Sequence, residues 1–158
     1  MELYLLRHAD AGDAETWRGN DADRPLSDKG RGQAERLGRL FADVSFRPDV
    51  FLTSPKVRAL QTAQLAADPL KAKVDVDPRL AGPLDIVTVD RILVDAGDPQ
   101  RPVLVGHDPE LSELLGVLVG LGPLPMRKGA VAGVDIDRPL RPGGGTLRLL
   151  LPASMVPR

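Results

Sequence analysis

Two histidines and two arginines are the residues of this chain whose types and positions could do chemistry. Arg7-His8 ends the apolar run Leu3-Tyr4-Leu5-Leu6, Arg58 follows Thr53-Ser54-Pro55, and Gly106-His107 ends the run Val103-Leu104-Val105. The chain has no other histidine, and both fall where a strand is expected to stop. A neutral imidazole can attack phosphorus, and arginine grips phosphate oxygens through paired, charge-assisted hydrogen bonds. The set predicts phosphoryl transfer. In that reading His8 attacks in line and carries the phosphoryl group covalently. Arg7 and Arg58 hold equatorial oxygens by bidentate contacts, and a protonated His107 donates to another oxygen as charge develops. The neighbouring cations are expected to keep His8 unprotonated.

For these four residues to meet, their elements must bring three junctions to one place. Continuous apolar runs of four or five residues read as strands buried on both faces, as in a parallel sheet. Such strands are expected at Glu2 to Leu6, Asp49 to Leu52, Lys73 to Val76 and Arg101 to Val105. Right-handed crossovers make them parallel, so the junctions after the first, second and fourth share one sheet edge, where ligands of open α/β sheets bind. Between them, Ala9 to Ser27 is a polar loop holding Trp17, Asp10, Asp21 and Asp23. Ser27 reads as the N-cap of a helix with Ala34, Leu37, Leu40, Phe41 and Val44 on its apolar face. Ser54-Pro55 and Asp108-Pro109 read as N-cap and first helical residue of two more helices, whose N-termini would add partial positive charge beside the arginines. A further helix is expected from Asp85 to Ala96, and two more strands from Ala132 to Ile136 and Thr146 to Leu151 around a glycine turn. Residues 1–152 thus form one α/β domain with a mostly parallel sheet, and residues 153–158 are expected to be a short frayed tail.

Composition narrows the partners. The 158 residues suffice for one domain with a sizeable core, and with 42% hydrophobic but only 3% aromatic residues that core must be built from Leu, Val and Ala. A net charge of −1 offers no basic field for nucleic acid, so anion recognition must be local. Without cysteine there is no disulfide, thiolate nucleophile or Cys-ligated zinc, which fits a reducing compartment. No compact carboxylate cluster suggests a metal site, and the expectation is a metal-free, cofactor-free site. No apolar stretch approaches the roughly 18 residues needed to span a bilayer, and the first apolar run lacks the basic flank of a signal peptide. The expected location is the cytoplasm, with no membrane partner.

Three motifs in order, Arg7-His8 after a strand, Ser54-Pro55-x-x-Arg58-Ala59-x-Gln61-Thr62-Ala63 and Val105-Gly106-His107, resemble those of the histidine phosphatase superfamily. The small size and Asp21-x-x-Arg24-Pro25-Leu26-Ser27-x-x-Gly30 are most similar to phosphohistidine phosphatases of the SixA type. The resemblance implies an α/β/α sandwich, a nucleophilic His8, a phosphate pocket of Arg7, Arg58 and His107, and no metal. The chain departs from the pattern twice. Ala9 stands where the family usually has glycine, and the acidic residue that many members use as general acid has no clear match around Arg79-Leu80-Ala81-Gly82-Pro83. Alkoxide leaving groups need a proton, whereas the imidazole of a phosphoramidate can take one from solvent. The missing acid therefore points to phosphohistidine on a protein partner. Asp21 or Asp85 folding into the site as acid or substrate contact, or Asp10 folding in as the acid, would favour the alternative, a small-molecule phosphomonoesterase. A non-catalytic phosphate-binding module is the further alternative, which would need the arginines but not His8.

Overall fold

The computed structural model describes residues 1–158. Ten regular elements follow one another: β1 (Glu2–Arg7), α1 (Asp28–Asp43), β2 (Val50–Thr53), α2 (Val57–Ala67), β3 (Val74–Val76), α3 (Ile86–Asp95), β4 (Pro102–Gly106), α4 (Glu110–Val119), β5 (Val131–Ile136) and β6 (Gly145–Leu151). The strands form one sheet in the order β3-β2-β4-β1-β5-β6. Its first four strands are parallel to one another, β5 runs antiparallel to β1, and β6 antiparallel to β5.

Side chains of a strand alternate between the two faces, and the core divides accordingly. Leu3, Leu5, Leu52 and Leu104 pack with Val89, Ile92 and Leu93 of α3 and with Leu111, Leu114, Leu115 and Leu118 of α4. Leu6, Phe51, Val103 and Val105 pack on the other face with Leu37 and Phe41 of α1 and Ala59, Ala63 and Ala66 of α2. The result is a three-layer α/β/α sandwich. Each fully buried leucine or phenylalanine contributes about 1.5–3 kcal/mol of hydrophobic transfer energy.

Chain order makes a crevice at the middle of this sheet. The connection after β1 leads to α1 on one face, while that after the neighbouring β4 leads to α4 on the other. Diverging connections open a gap at the carboxyl ends of β1 and β4, the switch point where open α/β sheets bind ligands. Arg7 lies opposite Gly106 in the β1–β4 register, so His8 and His107 leave adjacent strands at the same level.

Three local expectations change. α2 starts at Val57 and not at Pro55, with Lys56 as its N-cap; the Ser54 hydroxyl oxygen accepts from the Lys56 amide and lies 2.8 Å from His107 Nε2. α4 starts at Glu110, after a cis Asp108–Pro109 bond, and Asp108 accepts from both the amide and the hydroxyl of Ser112. The tail does not fray: Ala153–Met155 form a 3-10 turn, and Val156 is buried in the α1/α2 layer of the core. No helix is long and apolar enough to cross a membrane.

Candidate active site

His8 is buried, with 6% exposure, at the end of β1. Its Nδ1 lies 2.7 Å from the carbonyl oxygen of Ala9. A carbonyl only accepts, so the ring proton resides on Nδ1 and Nε2 carries the free lone pair. Burial pushes the His8 pKa down to about 4, with Arg58, Arg7 and Lys128 adding to the effect against the bond to Ala9. The imidazole is therefore neutral near pH 7 and presents Nε2 as a nucleophile.

The ring of His107 stands 5.2 Å from that of His8, centroid to centroid, and its Nε2 lies 2.8 Å from the Ser54 hydroxyl oxygen. That oxygen already accepts from the Lys56 amide, so its hydrogen is free to be donated to Nε2. With that hydrogen donated to Nε2, the His107 proton sits on Nδ1, a buried atom without a protein partner. Burial, then the fields of His8, Lys56 and Arg58, push the His107 pKa down to about 3. The expectation of a protonated His107 is thus corrected for the free protein. It is a neutral donor through Nδ1, because a buried imidazolium among cations would go uncompensated.

Arg7 is fixed from the α4 side. Its Nη1 donates to the Met126 carbonyl at 2.8 Å and lies 3.7 Å from Asp108. Arg58, the second residue of α2, gives Nη1 and Nη2 to the backbone oxygen and carboxylate of Asp21 at 2.8 and 2.9 Å. The bidentate phosphate grip expected of Arg58 is therefore not open as the chain stands, since its outer nitrogens already hold Asp21. The Nε atoms of Arg7 and Arg58 are buried and unpartnered, like His107 Nδ1. Three unpaired donors in one crevice fit an oxyanion, which would satisfy what the protein leaves unbonded.

The remaining motif residues hold the nucleophile loop. Thr62 donates to the Arg58 carbonyl at 2.7 Å and accepts from the Ala9 amide at 3.0 Å, tying α2 to the residue after His8. Gln61 accepts from the Leu26 amide at 2.8 Å. The Ala9 methyl is fully buried in a small cluster with Leu26 and Ala34, which accommodates the departure from glycine.

Asp21 and Asp85 part company. Asp21 is beside Arg58, but Arg24 and Arg58 hold its carboxyl below the usual carboxylate range. An ionised, paired carboxylate has no proton to give. Asp85 does not join the four: it is the N-cap of α3, accepting from the Thr88 amide at 2.7 Å, and it lines a groove with Glu113, Leu114 and Val117. The Arg79–Pro83 segment brings no acid either, and Arg79 is bound to Asp77 and Asp95. Sequence reasoning missed Ser54 as the partner of His107 and Lys128 as a neighbour of His8. A serine before proline reads as a cap, and a loop lysine carries no motif. No group of three or more His, Cys, Asp or Glu is placed to hold a metal ion.

The chain is similar to several known proteins. An uncharacterized protein of Picosynechococcus is 36% identical over 116 residues, covering 72% of this chain and 70% of that one. A 2,3-bisphosphoglycerate-dependent phosphoglycerate mutase of Mycobacterium leprae is 43% identical over 71 residues, which cover 42% of this chain but only 27% of the mutase. A solved structure assigned as the phosphohistidine phosphatase SixA of Agrobacterium tumefaciens superposes with a TM-score of 0.77 at 27% identity, covering 95% of this chain and 96% of the other. Residues 3–82, which include Arg7, His8 and Arg58, match the model of the histidine phosphatase superfamily (branch 1), and the chain belongs to that superfamily.

Proposed function

We propose that the protein is a phosphatase that takes the phosphoryl group of a phosphohistidine on a partner protein onto Nε2 of its own His8. The observation that carries this reading is that neither Asp21 nor Asp85 is placed as a proton donor: Asp21 is ionised and paired, and Asp85 is an N-cap elsewhere. In the first step the His8 Nε2–P bond forms as the substrate's P–N bond breaks, and the departing imidazole nitrogen takes its proton from water. Arg7, Arg58 and the Nδ1–H of His107 receive the charge on the equatorial oxygens. Water then attacks phosphorus, the P–Nε2 bond breaks, and phosphate leaves with neutral His8 restored. The arginines and His107 supply the charge neutralisation, so the reaction as drawn needs no metal or cofactor. The likeness to the Agrobacterium structure, at 27% identity over nearly the whole chain, supports the phosphohistidine substrate.

The second reading, a small-molecule phosphomonoesterase, draws support from the match to the M. leprae mutase. Comparison of kcat/KM on a phosphohistidine peptide and on an alkyl phosphate separates the two. The expected result is strong preference for the peptide in the presence of chelator, with acid-labile, base-stable phosphate trapped on the wild type. His8→Asn should abolish trapping and lower turnover about 10⁴-fold or more. Equal efficiency on both substrates would overturn the phosphohistidine reading. A His8→Asn protein with most of its rate would overturn the covalent mechanism.

A further inference from the structure

Beside the crevice, on the β5 and β6 side of β1, lies a cleft of about 360 Å³ bordered by Arg7, Asp10, Lys29, Arg127, Lys128 and Ser154. Four cations face one carboxylate there, in a chain whose net charge is −1. Asp10 is already spoken for: it accepts from the Ser27 hydroxyl at 2.6 Å and lies 3.4 Å from Lys128. Lys29 and Arg127 are exposed and have no ion-pair partner, whereas Arg7 and Lys128 lie near Asp108 and Asp10. Unpaired cations converging on a concave surface repel one another unless an anion joins them.

The cleft is also joined mechanically to the nucleophile. The Gly129 amide, next in the chain to Lys128, donates to the His8 and Arg7 carbonyls at 3.0 and 3.2 Å, and Met126 in the same loop receives Arg7 Nη1. The field of Lys128 reaches the His8 ring. Arg7 borders both spaces, so a group bound to phosphorus at His8 has the cleft as its neighbour. Apart from Arg7 of β1 and Asp10 in the loop after it, the walls come from α1, the loop before β5 and the turn after β6, none of which supplies His8, Arg58 or His107.

We infer that this cleft is a second anion subsite, which selects substrates whose leaving group carries negative charge, supplied by acidic side chains flanking the phosphohistidine of the partner protein. The source of the anion rests on the phosphohistidine reading above; the charge selection does not. Lys29 and Arg127 would act as specificity residues through their charge, at the rim where long-range attraction speeds encounter more than it deepens binding.

Four substrates test it with wild type and the Lys29→Glu/Arg127→Glu double variant: phosphohistidine peptides flanked by Glu or by Gln, and phosphoglycolate against ethyl phosphate. Wild type is expected to prefer the Glu-flanked over the Gln-flanked peptide by about tenfold in kcat/KM at low salt, a preference that fades near 0.5 M salt, where screening is short-ranged. The double variant should erase or invert that ratio, and an intact circular dichroism spectrum and melting curve show that it folds. Equal use of both peptides by wild type, or a ratio untouched by the double variant, would overturn the subsite. If neither peptide is hydrolysed while phosphoglycolate is preferred to ethyl phosphate, and the variant removes that preference, the subsite stands and the phosphohistidine source falls.

Discussion

At the scale of single residues, this site works by leaving groups unsatisfied. Arg7 Nε, Arg58 Nε and His107 Nδ1 are buried without partners, at a cost of about 1–3 kcal/mol each, and a phosphoryl group would meet all three needs. Arg58 already holds an anion, the Asp21 carboxylate on its Nη2 at 2.9 Å. It is 54% exposed, so its Coulombic hold is screened and worth little. It nevertheless competes with an incoming oxyanion for the same guanidinium. Asp21→Asn keeps an acceptor for Arg58 while removing the charge, and should tighten inhibition by vanadate about two- to fivefold. Weaker inhibition in that variant would show that Asp21 positions Arg58 and does not compete for it.

At the scale of elements, the site depends on how closely α1 and α2 approach the loop after β1. Gly30, in the first turn of α1, has no room for a side chain: a Cβ there would run into the Asp10 carbonyl oxygen. That carbonyl accepts the Ser27 amide, and the Ser27 hydroxyl donates to the Asp10 carboxylate, so the helix start and the nucleophile loop are locked together. Gly30→Ala should lower stability by about 2–4 kcal/mol in urea unfolding and reduce kcat, because the loop following His8 must shift. Retained stability and rate would mean that the loop yields without disturbing His8. The α3 start makes the opposite case. Asp85→Ala should cost about 1 kcal/mol as a lost N-cap and leave the ratio of aryl to alkyl phosphate hydrolysis where it was. A defect confined to the alkyl ester would return Asp85 to the role of general acid.

At the scale of the whole molecule, the parallel core sheet buries two neutral histidines at its switch point, which ties stability to pH. Both folded pKa values are depressed, to about 4 for His8 and about 3 for His107, from the ordinary 6.5. Between those limits the unfolded chain binds protons that the folded chain does not. The histidine contribution to stability is therefore fully present above pH 6.5 and is lost as pH falls through the folded values. The Tm should decline from about pH 6.5 towards pH 4, and the decline should be shallower in the His8→Asn/His107→Asn variant. An identical pH dependence in that variant would mean that other groups govern it.

The sequence by itself determined the strands, the shared direction of the first four and the end of the sheet at which chemistry gathers. Apolar runs bounded by turn residues are local signals, and right-handed crossover chirality does the rest. The motifs around Arg7-His8, Arg58 and His107 were legible for the same reason, since each occupies a strand-to-helix junction. What the tertiary structure alone decided were the partners of groups that have more than one use. Ser54 could cap a helix or bond His107, and only the β2–β4 pairing brings the imidazole within 2.8 Å. Asp21 and Asp85 are alike in sequence, yet one closes on Arg58 and the other caps α3, because loop geometry depends on contacts distant along the chain. The cleft beside Arg7 gathers Lys29, Arg127 and Ser154, residues too far apart in sequence to form any motif. Hydrophobic periodicity fixes elements because it repeats locally, while a side chain's hydrogen-bond partner is chosen only once the elements have packed.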